Sequence, residues 1–83
     1  MEITVKLFAM LGSYLPPGAR HNEVQIQIAD DSTVTQLIEQ LKLPIELTHL
    51  VLVNGLYVEP QNRDQTRLSP GDEFVVFPPI AGG

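Results

Sequence analysis

Only one segment of the chain has the periodicity of an amphipathic helix, and it lies among segments that have the patterns of β-strands. Apolar residues recur at i, i+3, i+4 and i+7 within 34–42, which predicts a helix over these residues. Thr33 and Gln36 form a capping-box pattern at its start, and Pro44 is expected to end it. Because a single helix can cover only one face of a sheet, the remaining segments must form a sheet with one open face.

These remaining segments are predicted to be β-strands. The first two alternate with period two, so each places one face on a core. Asn54-Gly55 separates the next two, and this pair favours a two-residue hairpin turn because both residues accept positive φ. Ser69-Pro70-Gly71-Asp72 is typical of a type II turn before the last strand, which Pro78-Pro79 must end. The predicted strands are residues 2–8, 23–28, 50–53, 56–58 and 73–77.

This order of elements predicts an α+β domain with a mixed sheet of four to five strands and one main helix packed on one face. The first and last strands are expected side by side in the middle of the sheet. We expect the folded domain to span residues 1–78 and a flexible tail to span 79–83. The stretch 59–67 is interpreted as a loop, and 9–15 is ambiguous between a loop and a short helical turn.

The charge balance excludes several classes of function. The 83 residues allow one small domain, and 10 acidic residues against 5 basic ones give a net charge of −5. The basic residues are scattered, so we expect no binding to nucleic acid or to an anionic membrane. The chain has no cysteine, which excludes disulfides, iron–sulfur clusters and thiolate zinc sites. We predict no metal site and no bound cofactor in a soluble, cytoplasmic protein without a secretory signal.

No set of side chains indicates that the chain catalyses a reaction alone. His21 and His49 are expected in solvated loops, and isolated serines are interpreted as turn residues. Asp30 and Asp31 precede the helix, where helix capping is a better interpretation than metal binding. Asp72 is interpreted as a turn residue.

The C-terminal residues carry the clearest indication of function. Gly82-Gly83 can gain little from packing and costs ordering entropy, so this end is expected to be mobile. Pro78-Pro79 stiffens the chain before it and should project the tail from the domain. The Gly83 carboxylate, with a pKa of about 3.5, is ionised at neutral pH. It could attack the α-phosphate of ATP in a partner enzyme, although a frayed end of no function is the simpler interpretation.

A partner-binding surface is predicted on the open face of the sheet. If Phe74 faces the helix, alternation places Val75 and Phe77 on the opposite face. Apolar side chains that a single helix cannot cover are typical of a docking site. The predicted partner-binding residues are Phe8, Leu52, Val75, Phe77, Pro78, Pro79, Ile80 and Ala81.

The motifs Val53-Asn54-Gly55 and Ser69-Pro70-Gly71-Asp72-Glu73, followed by the terminal segment 77–83, resemble the MoaD/ThiS family of sulfur carriers. The resemblance covers nearly the whole chain and implies a ubiquitin-like β-grasp fold. The terminal sequence FPPIAGG is its most specific part and is nearest to the small subunit of molybdopterin synthase.

The resemblance implies a function and partners. Gly83 would be adenylated by an E1-like enzyme that uses ATP and then converted to a thiocarboxylate, with Gly82 as a spacer that lets the tail enter partner sites. A cysteine desulfurase or a rhodanese would supply the sulfur. The thiocarboxylate would donate it to a pterin precursor in complex with the large synthase subunit, in the biosynthesis of the molybdenum or tungsten cofactor.

Three alternatives stay open on the sequence alone. The chain could carry sulfur for another pathway, such as thiamine thiazole synthesis or tRNA thiolation. It could be a ubiquitin-like modifier whose Gly83 forms an isopeptide bond with a lysine. It could also be a binding module that uses only the open face of its sheet.

Overall fold

The segments that were predicted to be strands form a five-stranded mixed sheet in the computed structural model, which describes residues 1–80. The order across the sheet is β2-β1-β5-β3-β4. β1 and β5 are parallel, whereas the other neighbouring pairs are antiparallel, so the predicted central pair of first and last strands is confirmed. The strands are β1 (Glu2–Leu7), β2 (Glu23–Gln27), β3 (Leu50–Val53), β4 (Leu56–Tyr57) and β5 (Glu73–Phe77).

The predicted helix forms as α1 (Val34–Gln40), and its N-terminus is closed by a capping box. The Gln36 backbone N–H donates to Thr33 Oγ1 at 3.2 Å, and the Thr33 N–H donates to Gln36 Oε1 at 2.8 Å. Two N–H groups that the helix cannot satisfy itself are thereby paired. Within residues 1–80, no helix has the length and apolar character needed to cross a membrane.

The predicted end of the helix is wrong by two residues, because the chain leaves the helix at Gln40. Lys42 adopts a left-handed conformation with φ 59. The Lys42 N–H donates to Glu39 O at 3.0 Å, and the Leu43 N–H donates to Ile38 O at 3.1 Å. This is a Schellman motif, which normally has glycine at the left-handed position. The lysine gives no sequence signal for it.

The core lies between α1 and the inner face of the sheet. Apolar side chains at alternate positions of β1, β3 and β5 meet the apolar stripe of the helix, and Leu11 and Leu68 belong to the same buried cluster. Val24 and Ile26 of the edge strand β2 are only half-buried and pack at the margin of this core. The fully buried side chains are Ile3, Val5, Leu7, Leu11, Val34, Leu37, Val51, Phe74 and Val76.

The two predicted turns are present and lie against each other. Asn54 and Gly55 both have positive φ, of 52 and 81. Gly71 has φ 83, and the Asp72 N–H donates to Ser69 O at 3.1 Å. The Asn54 side-chain amide donates to Asp72 Oδ1 at 2.8 Å, so one turn holds the other beside the start of β5.

The polar stretch 59–67, which was interpreted as a loop, is mostly exposed but contains a short helix and one buried side chain. It contains the 3-10 helix Pro60–Asn62 and the side chain of Arg63, which is only 7% exposed. The guanidinium donates to both Oγ1 and the carbonyl oxygen of Thr48 at 2.8 Å. Burial lowers the pKa of Arg63. This residue therefore fastens the stretch to the segment before β3.

Two further expectations concern short segments. The ambiguous segment 9–15 contains the 3-10 helix Ala9–Tyr14, so the short helical turn is confirmed. Asp30 and Asp31 do not cap α1, because Thr33 takes that role. The Asp30 carboxylate instead lies 3.3 Å from the N-terminal amino group, and Asp31 occupies a turn with φ 65.

Candidate functional site

Three strands bring apolar side chains together at one end of the open face. β1 and β5 are parallel, so their C-terminal ends meet there, and antiparallel β3 begins there with Leu50 paired to Phe77. Phe8 follows β1, and its N–H donates to Val76 O at 3.2 Å. The rings of Phe8 and Phe77 stack with centroids 4.6 Å apart and planes 4° apart. This aromatic pair forms the floor of a candidate docking site.

A groove of about 670 Å³ surrounds the aromatic pair, and we call it the apolar groove. Among residues 1–80, no aspartate, glutamate, lysine or arginine lines it. At its rim, Met10 is 61% exposed and Ile80 is 82% exposed. Large apolar side chains exposed around a concave surface are typical of a protein-binding site. The lining residues are Phe8, Ala9, Met10, His49, Leu50, Phe77, Pro78, Pro79 and Ile80.

Most of the predicted partner-binding residues converge on this groove, but two do not. Phe8 and Phe77 form its floor, and residues 78–80 form one wall. Leu52 and Val75 are paired with each other on the same open face, outside the groove. Val75 is only 7% exposed, because it lies in the central strand between its register neighbours on β1 and β3. Val75 therefore offers almost no surface to a partner, and we remove it from the predicted partner-binding residues.

Four lining residues were missed from the sequence. Leu50 could have been found, because alternation in β3 places it on the same face as Leu52. Ala9 and Met10 belong to a 3-10 helix whose first residue has φ 54, a conformation that alanine rarely adopts. His49 lies in an exposed loop as predicted, and the loop carries it to the rim of the groove.

The remaining predicted site residues, Ala81, Gly82 and Gly83, lie outside the described residues. The segment that leads to them does lie inside. Pro78 and Pro79 follow the end of β5 and line the apolar groove, and Ile80, the last described residue, lines it as well.

The charges of the open face lie away from the groove. Lys6 is 3.0 Å from a Glu73 carboxylate oxygen and 3.6 Å from one of Glu23. The hydrogen bond and the charge of Glu73 raise the pKa of Lys6. Across residues 1–80, no three acidic or histidine side chains cluster as metal ligands would. The open face thus has a polar half over β2, β1 and the first residue of β5, and an apolar half over the rest of β5 and β3.

Comparison with protein families gives one match that spans almost the whole chain. A model of the ThiS family matches residues 5–83, a range that includes the hairpin, both turns and the terminal glycines. A search of curated proteins returned no match.

Solved structures share the fold over the full length of this chain. The Haloferax volcanii HVO 2177 protein is 29% identical, with a TM-score of 0.76, and the match covers 100% of this chain and 87% of that one. SAMP1 from Haloferax volcanii is 23% identical with a TM-score of 0.69, and both chains are covered completely. A protein–protein complex of subunits 1 and 2 of the molybdopterin-converting factor from Helicobacter pylori contains a chain 20% identical, with a TM-score of 0.59 and complete coverage of both. The predicted ubiquitin-like β-grasp fold is confirmed.

Proposed function

The chain belongs to the ThiS family of ubiquitin-like sulfur carriers, and from this we propose that it carries sulfur as a thiocarboxylate on Gly83. The observation that carries the proposal is that the family match runs through Gly83. A glycine carboxylate has no side chain beside it, so it can enter a narrow active site of another protein. The protein is then a covalently activated substrate and not an independent catalyst.

The proposed activation has two steps, both in partner enzymes. In the first, the Gly83 carboxylate attacks the α-phosphate of ATP in an E1-like adenylating enzyme, and pyrophosphate leaves. In the second, the terminal sulfur of a persulfide on a donor such as a cysteine desulfurase or a rhodanese attacks the acyl carbon, and AMP leaves. A thiol then reduces the resulting acyl disulfide, which releases the thiocarboxylate and leaves a disulfide with the donor cysteine. A cytoplasmic location is part of the proposal, because activation consumes ATP.

The apolar groove is the proposed docking site for these partners. It lies beside Pro78 and Pro79, so a protein bound there is next to the segment that leads to Gly83. The stacked Phe8 and Phe77 offer a rigid apolar surface that needs little ordering on binding. If contacts with the groove supply most of the binding energy, the terminal residues do not have to hold the partner and are free to react.

We propose the small subunit of molybdopterin synthase as the specific role. The terminal FPPIAGG favours it, and a chain of the same fold was solved in a complex of subunits 1 and 2 of the molybdopterin-converting factor. The large synthase subunit would receive the terminal segment and transfer the sulfur to a pterin precursor. Thiamine thiazole synthesis and tRNA thiolation are the alternative destinations of the sulfur.

Reconstitution with purified enzymes tests both parts of this proposal, the formation of the thiocarboxylate at Gly83 and the destination of its sulfur. The chain is incubated with its cognate adenylating enzyme, ATP and a sulfur donor, and thiocarboxylate is measured by mass. We expect Gly83→Ala to lose most of the product, because the added methyl group crowds the partner's channel. Gly12→Ala is the control, since its new Cβ meets no atom closer than 3.4 Å. Equal yields from both variants would contradict a reaction at Gly83.

The purified thiocarboxylate is then offered separately to the large synthase subunit with its pterin precursor and to a thiazole synthase with its substrates. Sulfur loss only in the first mixture supports the molybdopterin role. Sulfur loss only in the second mixture would reject the molybdopterin role in favour of thiamine thiazole synthesis, and it would still support the proposed carrier chemistry at Gly83.

A protein modifier is a second candidate, because SAMP1, described as a small archaeal modifier protein, has the same fold. In this case the adenylated Gly83 would form an isopeptide bond with a lysine of another protein. Purification of the tagged chain from its cells under denaturing conditions would separate the two functions. Conjugates that disappear in Gly83→Ala would support the modifier, and free chain alone would reject it.

A further inference from the structure

The outer side of β2 is an unpaired strand edge, and its backbone geometry can be read from the bonds to β1. At one end of the β1–β2 ladder the Leu7 N–H donates to Asn22 O at 3.1 Å, and at the other the Ile28 N–H donates to Met1 O at 2.8 Å. Bonded pairs alternate in an antiparallel ladder. Even-numbered residues of β2 therefore direct their N–H and C=O groups at β1, and odd-numbered residues direct theirs outward.

The outward groups of Gln25 and Gln27 form this edge, which we call the β2 edge. Glu23 is excluded, because it exchanges backbone bonds of 2.9 and 3.0 Å with Arg20. Within residues 1–80, no strand pairs with the outer side of β2. β2 also contains no lysine and no proline, which are residues that commonly protect an edge from pairing.

The two ends of the β2 edge carry opposite charges. Arg20 precedes the strand, Asp30 and Asp31 follow it, and all three are exposed. Glu23, at the same end as Arg20, is paired with Lys6, and Asp30 also lies 3.3 Å from the N-terminal amino group of its own chain. A strand of the same sequence laid antiparallel would place its acidic end against Arg20 and its basic end against Asp30. A parallel copy would place like charges together. The charge pattern thus selects an antiparallel second copy of this chain as the occupant.

We propose that two copies of the protein associate through antiparallel pairing of their β2 edges. In the register that preserves the faces of both sheets, Ile26 lies opposite Ile26 of the second copy. Gln25 then lies opposite Gln27 of the second copy, and the outward N–H and C=O groups form four backbone hydrogen bonds. The apolar residues of both strands share one face, and the glutamine amides share the other.

This dimer leaves the apolar groove of each copy free. In the joined sheet, five strand spacings of about 4.8 Å separate the two β5 strands, which places them about 24 Å apart. The two-fold axis points the C-terminal ends of the β5 strands in opposite directions. Association at the β2 edge therefore does not depend on the carrier function proposed above, and each can fail without the other.

The interface is small, so the dimer is expected only at high concentration. The net charge of −5 on each copy opposes association as well. Sedimentation velocity from micromolar to millimolar concentration is the primary measurement. We expect a monomer at the low end and a growing dimer fraction at the high end. Amide hydrogen exchange at Gln25 and Gln27 should slow over the same range, and exchange at the already bonded Val24 should not.

Two kinds of variant test the interface. Gln25→Pro removes an outward N–H that makes no bond to β1, so it should abolish the dimer while the far-UV spectrum of the fold is kept. Arg20→Asp and Asp30→Arg should each weaken the dimer, and the double variant, whose net charge is unchanged, should restore it. Glu46→Arg is the control for Asp30→Arg, because it makes the same charge change at an exposed site in the segment before β3.

Two outcomes would overturn the proposal. One is a chain that stays monomeric up to millimolar concentration. The other is a dimer that persists in folded Gln25→Pro and does not respond to the charge exchange, since its interface would then lie elsewhere, for example in the apolar groove.

Discussion

Phe74 and Phe77 lie three residues apart in β5, yet they serve opposite sides of the sheet. Phe74 is 0% exposed and belongs to the core under α1. Phe77 is half-buried, stacks on Phe8 and forms the floor of the apolar groove. The same aromatic side chain thus stabilises the fold on one face and is available to a partner on the other. Period-two alternation in one strand separates the two roles.

Truncation of the inner phenylalanine should have the largest effect on stability. Phe74→Ala removes a fully buried ring, and we expect a loss of about 3–5 kcal/mol in the free energy of unfolding. Phe77→Ala is the matched control and should cost only about 0.5–1.5 kcal/mol, mainly through the lost stacking on Phe8. Urea titration followed by circular dichroism measures both. Equal losses from the two variants would remove the distinction between the faces.

A charge at the outer phenylalanine, Phe77, should lower partner affinity more than it lowers the stability of the fold. Phe77→Lys buries a charge in the apolar groove when a partner binds, so affinity for the adenylating enzyme should fall by about tenfold or more. Thr4→Lys introduces the same charge on the polar half of the open face, next to Glu73 in register, and should bind normally. Calorimetric titration compares the two. Unchanged affinity in Phe77→Lys would place docking elsewhere.

The inner face also depends on the start of α1. Thr33→Ala removes the side-chain oxygen that accepts the Gln36 N–H, and we expect a stability loss of about 1 kcal/mol. Thr33→Ser retains an acceptor at the same place and is the control. Neither variant should alter partner binding, because the cap lies on the helix side of the sheet. A loss of binding in folded Thr33→Ala would show that the two faces are coupled.

The smallest effect is expected on the polar half of the open face. Glu73 raises the pKa of Lys6 above its ordinary value of 10.5. A raised lysine pKa stabilises the fold below the unfolded-state value and ceases to do so as pH rises through the folded-state value. Lys6→Met should therefore be slightly less stable than the parent at neutral pH. Thermal melts should show the difference in melting temperature between the parent and Lys6→Met become smaller above pH 10.5. A difference that grows there would contradict a stabilising ion pair between Lys6 and Glu73.

The sheet, the helix and both turns were predictable because each has a local signal in the sequence. Alternation indicated β1 and β2, short apolar runs next to turn residues indicated β3 and β5, and Thr33 with Gln36 indicated the start of α1. The Asn54-Gly55 pair and the Gly71 turn fixed the hairpin and the entry to β5. These signals act over a few residues, and the structure follows them closely.

The features that were missed arise from contacts between distant residues or from unusual backbone conformations. Lys42 ends the helix in a conformation typical of glycine, and Ala9 starts a 3-10 helix at positive φ. Arg63 is buried in a polar stretch only because the carbonyl and hydroxyl of Thr48 lie within reach. Val75 is covered by its neighbours in the sheet. About half of the apolar groove was therefore predicted, namely the aromatic floor and the residues after β5.

The most direct test of the carrier function is the intact mass of the protein purified from its native cells. We expect a species heavier by about 16 Da, the exchange of one carboxylate oxygen for sulfur, with the added mass on Gly83 in fragment spectra. The same shift should appear after incubation with the cognate adenylating enzyme, ATP and a sulfur donor. An unmodified mass in both preparations, with the adenylating enzyme active on another carrier, would contradict the account.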